Sequence, residues 1–561
     1  SAPAGAVDRV KADGTVTIAS HNRYWMARSI LCAACLVFLV GCGPKTYKHD
    51  ADEKVYGFVD SRWEPEFGPQ ANYRITGATP SPDDIDIDQV ERIEKSVSET
   101  GILTIPQAAT IALARNRDYH LQKELLYTMT LDMRLIRHSY ETQLFGGGTA
   151  LYSNDGTNER VVVEPNLGFN RLLATGAAVG TTVGARWADI LIGLGQHGWT
   201  GTFGASVVQP LLRGSDPRVV REPLTQAERN ALYQIRTVCR FRKLTIVSVV
   251  TLYHEALELR DMAQNAARHV EALQVLATRV EPLVAAGRLS DEELAQVRQE
   301  ILRARDAQIL AQKEYERWLD LLKITMGVPP TMEFDLDVQV FESWKTQGIP
   351  YPDIPLDEAV ETALIQRLDL TNSADAVIDA QRAVFVAKDA LRPGLNIFAS
   401  AETRTDGERN VAAGATLDLP LDRVAEQDSY ARALVTLNQR LREYDQTADT
   451  IRMEVREAHR KLLETAQRYQ VLSEGVRLAE QRVESTFELL SYARVSSRRV
   501  LTALEHLYDA RNEAADALTD YANATLNFYR DTEVLEVRPD GMWELRPGAV
   551  ALTQAGLPVN E

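Results

Sequence analysis

The sequence predicts a mainly α fold with a smaller β part, built from a tandem-duplicated unit of very long helical hairpins. Three observations carry this: a copy of residues 103–113 recurs at 354–364, apolar side chains keep helical spacing over unusually long stretches, and the period falls to two between those stretches. Leu103-Thr104-Ile105-Pro106-Gln107-Ala108 superposes on Ile354-Pro355-Leu356-Asp357-Glu358-Ala359, and Ala112-Leu113 then falls on Ala363-Leu364. Each copy continues as a helix, a β-like stretch, a long helix, a break and a return helix. At 561 residues the chain has room for three or four domains of ordinary size, and the repeat replaces that prior.

The long helices can be measured from their apolar stripes. Val249, Tyr253, Ala256, Leu259, Ala266, Val270 and Leu273 set the first, from Pro223 at a first helical position to about Val284; Ile451, Val455, Leu462, Tyr469, Val476 and Phe487 set the second, from about Asp422 to Tyr492. At 1.5 Å per residue these are about 90 and 105 Å long. Their companions run from about Tyr119 to Phe145 and Ser290 to Gly327, then Leu370 to Leu391 and Ser496 to Asp531. Laid end to end, each short pair matches its long helix. A coiled coil accounts for the periodicity equally well, and the length match with intervening strands favours a cylinder.

Alternation follows. Val179, Thr181, Val183, Ala185 and Trp187 oppose Gly180, Thr182, Gly184 and Arg186, and Leu395, Ile397, Ala399 and Ala401 oppose Asn396, Phe398, Ser400 and Glu402. Val411, Ala413, Ala415 and Leu417 form one face of a third pass, with Gly414 and Thr416 on the other. Passes of about ten residues with one apolar face fit a transmembrane β-barrel and a soluble sandwich alike. Trp187, Trp199, Phe203 and Phe398 fit either an interfacial belt or a core. Gly146-Gly147-Gly148 reads as a helix-to-strand bend. Downstream of residue 42 no run reaches 18 apolar residues, so any spanning falls to a closed barrel.

The N-terminal region reads as an address. Met26-Ala27-Arg28-Ser29 precedes an apolar run from Ile30 to Gly41, of signal-peptide dimensions, that ends Leu39-Val40-Gly41-Cys42. This resembles a bacterial lipobox, which implies lipidation at Cys42, loss of residues 1–41 and, with Gly43 next, outer-membrane sorting. A buried helix end with Cys42 as a small apolar residue is the plainer alternative.

Composition removes other classes. A net charge of −17 without a Lys/Arg-rich run gives no nucleic-acid footprint, and 45% hydrophobic residues describe a folding chain. Four cysteines supply neither a disulfide framework nor a zinc site. His254, His269, His459 and His506 lie on helix-period segments as packed or solvated side chains, Cys239 as a small hydrophobe. No catalytic motif, metal site or cofactor site is expected.

The duplicated Leu-Thr-Ile-Pro-Gln-Ala…Ala-Leu motif at 103–113, Gln209-Pro210-Leu211-Leu212-Arg213-Gly214 ahead of the long helix, and Leu507-Tyr508-Asp509-Ala510 on the last return helix resemble the TolC-like outer-membrane efflux protein family from about Leu103 to Leu535. The resemblance implies a lipid-anchored homotrimer mainly α in content with a membrane β-barrel part: about four strands per protomer close a barrel of twelve, above a periplasmic tunnel of twelve helical strips. It implies a passive exit duct for small molecules, served by a periplasmic adaptor and an inner-membrane pump; a type I protein secretion duct or a non-conducting periplasmic coiled-coil lipoprotein are the alternatives. The expected divisions are 1–41, extension and signal peptide; 42–101, lipidated linker and equatorial segment; 102–345 and 346–535, the two repeats; and 536–561, a tail. Residues 146–212 exceed what two strands need, so an extra hairpin or long loop is expected there.

Val411, Ala413, Ala415 and Leu417 are then the barrel's outward face. The periplasmic tip and gate fall at the two helix breaks: Gly287 matches the family's turn glycine, with Ala493 near that position in copy two. Asp291, Glu292 and Glu293 follow the first turn, whereas Arg494, Arg498 and Arg499 surround the second. These charges either pair between neighbouring copies and hold the tip shut or are solvated helix-start charges.

Overall fold

The computed structural model describes residues 43–75, 77, 84–85, 87–154, 159–192, 198–352, 354–419, 421–492 and 494–545. Two units divide at Tyr56/Gly57, within helix α1 (Pro44–Arg62). In the larger unit, Gly57–Glu561, α2 (Ile87–Thr100) and the short β1 (Ile102–Leu103) lead into the first repeat. There α3 (Ile105–Arg115) and α4 (Arg117–His138) precede four strands, β2 (Gln143–Asn154), β3 (Glu159–Leu172), β4 (Ala178–Ile192) and β5 (Gly198–Pro210), then the long α5 (Pro217–Ala285) and its return α6 (Asp291–Met326). After β6 (Asp335–Leu336) and α7 (Gln339–Gln347), the second repeat gives α8 (Leu356–Gln366), α9 (Leu368–Ala390), β7 (Gly394–Arg404), β8 (Arg409–Asp418), α10 (Val424–Ser491) and α11 (Ser497–Asp531). A hairpin of β9 (Leu535–Val537) and β10 (Trp543–Leu545) follows. That hairpin begins before residue 536, where the sequence placed the start of a tail.

The duplication is visible in the element bounds, since α8 starts and ends 251 residues after α3 (105 to 356, 115 to 366) and α9 starts 251 after α4. The joints between them differ chemically. Asn116 caps α4 by accepting from the Tyr119 N–H at 2.7 Å, while Arg367 at the matching joint bonds Asp369 at 2.7 Å and Glu454 at 2.5 Å.

The long helices hold 69 and 68 residues, about 100 Å each. Pro223 lies inside α5; the helix starts earlier because Asp216 accepts from the Arg218 N–H at 2.9 Å and Pro217 takes the first helical position. In the row of strips, α5 lies between α4 stacked with α6 and α9 stacked with α11, and α10 flanks α9 and α11. Four strips result, with margins at α4/α6 and at α10.

The sheet order is β2-β3-β4-β5-β7-β8, antiparallel throughout. Six strands replace the four expected, the extra hairpin accounting for the excess length of 146–212. The glycine run is not a bend but lies within β2: a Cβ on Gly146 would sit 2.8 Å from Leu167 Cδ2 and one on Gly147 2.9 Å from Asn166 Oδ1, so these glycines admit neighbouring side chains. The bend falls at 139–142 instead, and Phe145 is a strand residue.

The middle of α5 anchors the equatorial segments. Arg242, 2% exposed, donates to the Pro69 and Ala71 carbonyls at 3.0 and 2.9 Å, and Tyr253 donates to the Leu103 carbonyl at 2.7 Å. Lys243 pairs at 2.6 Å with Glu533, both almost fully buried. A lone buried charge is costly. Glu533→Ala should therefore lower stability by about 3–5 kcal/mol, because it breaks a buried ion pair with Lys243 and also removes the Arg240 contact at 3.5 Å, measured as loss of resistance to heat and denaturant in the detergent-solubilised protein. A change below about 1 kcal/mol would show that the pair is replaceable by water.

Candidate functional site

Registers fix which residues share a face of the sheet. Because pairing keeps one register across all six strands, apart from a shift between Glu159 and Arg160 at the start of β3, the odd residues of β3, β4, β5, β7 and β8 and the even residues of β2 form one face. That face carries Leu144 and Tyr152, Val163 and Leu167, Val183 and Trp187, Phe203 and Val207, Ile397, and then Val411, Ala413, Ala415 and Leu417. Leu144, Leu167 and Val411 are 83%, 64% and 77% exposed. Between positions 144 and 152, 161 and 169, 179 and 187, 199 and 207, 395 and 403, and 411 and 417, no charged residue interrupts it.

The other face is mostly polar or small, with Phe145, Leu151, Val162, Val208 and Phe398 as its large apolar members. Thr182, Thr202, Ser206, Asn396 and Ser400 lie on it, and Glu164 pairs there with Arg186 at 2.9 Å. Phe145 covers Gly168 and Phe398 covers Gly414; Cβ atoms at these glycines would fall 2.5 and 2.8 Å from the rings. Phe398 is thus separated from Trp187, Trp199 and Phe203, which share the uncharged face. The indoles of Trp187 and Trp199 lie 6.4 Å apart across β4 and β5.

The far ends of the helices form the second part of the site. Gly287, at φ +66°, closes α5 with its N–H on the Val284 carbonyl at 2.8 Å and the Arg288 N–H on the Leu283 carbonyl at 2.9 Å. In copy two, the Arg494 N–H donates to the Leu489 carbonyl at 3.0 Å, the bond equivalent to Arg288–Leu283. Both hairpins therefore turn with the same long bond. Ala493 lies outside the described residues, as do Cys42 and residues 1–41.

Both tips share one apolar core, with Leu273, Leu276 and Val280 of α5, Val297 of α6, Leu490 of α10 and Val500 of α11. Glu293 accepts from the Ser497 N–H at 3.1 Å and from its hydroxyl at 2.8 Å, so it caps α11 within its own chain. Asp291, Glu292, Arg498 and Arg499 are exposed and form no ion pair among the described residues, and Arg494 lies 5.9 Å from the Tyr492 ring. Of the six tip charges, Glu293 is thus committed within its own chain, Arg494 lies near Tyr492, and the other four form no ion pair among the described residues.

The remaining candidates are structural. His254 is buried, bonds Asn523 through Nδ1 at 2.8 Å and packs edge-on against Trp344; burial pushes its pKa down to about 4. His269 stacks on Tyr508 with burial lowering its pKa, and burial lifts the Cys239 thiol to about 11. Glu258, between α5 and α11, is raised to about 7 by burial and by Asp516. No group of metal-ligating side chains occurs among the described residues, and no described helix is long and apolar enough to cross a membrane.

Sequence reading missed the Glu164–Arg186 pair and the face of β3. Pro165 and the unbroken Val161-Val162-Val163 obscured the alternation, although charges at two otherwise small or polar positions were a usable signal.

No family model and no curated relative matches this chain in sequence. Solved structures do. CusC, whose structures follow folding and transmembrane channel formation, superposes with a TM-score of 0.59 over 76% of this chain and 91% of its own at 16% identity. The Campylobacter jejuni CmeC outer membrane channel gives 0.57 over 87% and 94% at 14% identity, and the open Neisseria gonorrhoeae MtrE outer membrane channel 0.54 over 76% and 88% at 16% identity. The chain has the TolC-like outer-membrane channel fold.

Proposed function

We propose that this chain is an outer-membrane exit duct: a passive conduit in a homotrimer, fed by an inner-membrane pump through a periplasmic adaptor and carrying small molecules outward. The observation that carries the reading is the sheet with one uncharged and one polar face, joined end-on to a four-strip row of helices about 100 Å long. An uncharged face suits lipid, a face of Thr, Ser and an ion pair suits water, and the helices supply a periplasmic reach. Exposed apolar residues on both margins, among them Leu125, Ile309 and Leu310 on one side and Val435, Met453 and Val471 on the other, suit head-to-tail closure of identical copies. Cys42, read from the sequence as a lipidated residue, would add an anchor beside the barrel.

Heat-modifiable oligomers in detergent and single-channel conductance in planar bilayers test the duct directly. A protein that forms stable oligomers but never conducts would leave a structural coiled-coil role. For the wall, Arg at Ala415 should cost roughly 2–4 kcal/mol near the bilayer midplane, read as loss of assembled oligomer, whereas Arg at Thr416 should be tolerated. Equal damage at the two positions would refute the face assignment.

For the tip, we expect Arg498→Glu with Arg499→Glu to raise the open probability of the isolated channel, because these exposed cations are free to meet Asp291 and Glu292 of a neighbouring copy. Reversal of Glu300 and Arg303, already bonded to each other at 3.2 Å along α6, serves as the control. Unchanged conductance in both proteins would remove the tip charges from gating. For the anchor, mass spectrometry of the mature N-terminus should find acyl chains on Cys42, and Cys42→Ser should abolish them; identical processing of the two proteins would rule lipidation out.

A further inference from the structure

Four of the six sheet strands continue into helices: β2 from α4, β5 into α5, β7 from α9 and β8 into α10. They occupy the sheet in the same order as the strips to which they connect. The other two, β3 and β4, return to each other at the helix end, through a turn closed by Leu173 N–H to the Ala177 carbonyl at 2.7 Å. This hairpin has no helical strip of its own.

It is nevertheless a full part of the wall. β3 pairs with β2 along its entire length, Gln143 with Asn170 through Asn154 with Glu159, and β4 pairs with β5 from Ala178/Val208 to Ala188/Gly198. Val163, Leu167, Val183 and Trp187 continue the uncharged face, and Glu164, Thr182 and Arg186 the polar one. A flap over the mouth or a lid inside the lumen would not carry the lipid pattern on one face and the aqueous pattern on the other.

Among the described residues, β2 pairs in the sheet with β3 and β8 with β7, so they are its two edge strands. In hydrocarbon such edges must be satisfied, because unpaired N–H and C=O groups each cost several kcal/mol. We propose that β8 of one copy pairs with β2 of the next, and that three copies close an eighteen-stranded barrel, with β3 and β4 of each widening the outer-membrane segment beyond the twelve strands of the resembled family. This rests on the trimeric duct reading above.

Two pieces of geometry support the number. Following directly opposed residues from Gln143 gives Asn170, Gly180, Ser206, Ser400 and Ala412, six residues short of Asp418, the end of β8 (418 against 412). If Gln143 of the next copy sits opposite Asp418, the stagger is about six residues per copy and about eighteen around the ring, a tilt near 35° at strand spacings of about 4.8 Å, within the range of outer-membrane barrels. Arc width agrees as well. Six strands at that tilt occupy roughly 35 Å of circumference, and four helical strips at 8–10 Å spacing occupy roughly 32–40 Å.

The test uses the full chain reconstituted in lipid. With these ends flush, Thr149 falls opposite Ala412 of the next copy, so Thr149→Cys with Ala412→Cys should convert most of the protein to a covalent trimer on oxidation. Thr182→Cys with Gly204→Cys should form a link within one copy, since β4 and β5 pair there. Deleting residues 159–197 joins β2 to β5 and should shrink the radius at which neutral polymers are excluded from the outer mouth by about one third, as radius scales with strand number.

Failure of the Thr182/Gly204 link in the bilayer, absence of any covalent link between copies, or an unchanged exclusion radius in an assembled deletion variant would each overturn the eighteen-stranded wall. Conductance of the unmodified protein, measured alongside, reports separately on the duct. If that conductance persists while the links fail, the duct reading stands and the wide barrel falls.

Discussion

On the duct reading the β part of this chain lies in hydrocarbon, where no backbone polar group can be left unpaired, and that requirement orders the sheet. Five of the strand-to-strand seams are satisfied within one copy, all antiparallel and in step beyond a shift at Glu159/Arg160, so one continuous parity runs from Leu144 to Leu417. The uncharged face follows from this continuity: a one-residue slip at any seam would turn every later strand inside out. Glycine serves the same end, letting Phe145 lie over Gly168 and Phe398 over Gly414 without spreading the strands. One interruption is visible at Pro165, which has no N–H to give, and the β3–β4 pairing passes over Glu164 and Pro165. At that place the Glu164–Arg186 pair links the same two strands through side chains.

The helical part obeys a different rule. α5 is flanked on both sides, and its polar residues are tied to segments far away in sequence: Arg242 to the backbone at 69 and 71, Lys243 to Glu533, Arg236 to Asp375 and Arg229 to Asp379. The last two contacts join the long helix of the first repeat to the short α9 of the second, so the repeats are fastened to each other by half-buried charges as well as by apolar packing. α10, on a margin, has far fewer buried residues than α5 although the two are almost equally long. The asymmetry between duplicated helices reflects position in the row: one is flanked twice, the other once.

Much of the fold could be read from the residues because its signals are long. A stripe kept over 60 or more positions and a motif repeated at a fixed offset are hard to produce by accident. Val411, Ala413, Ala415 and Leu417 share one face of the sheet, a grouping that the uninterrupted alternation of β8 made legible. β3 did not emerge, since three successive valines and a proline hide its period. The bend after α4 was misplaced because a triple glycine suggests a break, whereas in a sheet it relieves crowding from Leu167 and Asn166. At the tips, the acidic and basic residues were evident in sequence, but not that Glu293 would cap α11, a contact between residues 204 apart that only packing creates.

That cap, together with the apolar core beneath it, makes the two hairpin ends of one chain a single mechanical part. Sliding one tip against the other would break both Glu293–Ser497 bonds and open Leu276, Leu490 and Val500 to water. A push applied to either hairpin end is therefore shared by both. In the proposed trimer, widening of the end would then draw on the seams between copies and not on slip between the two hairpins of one chain.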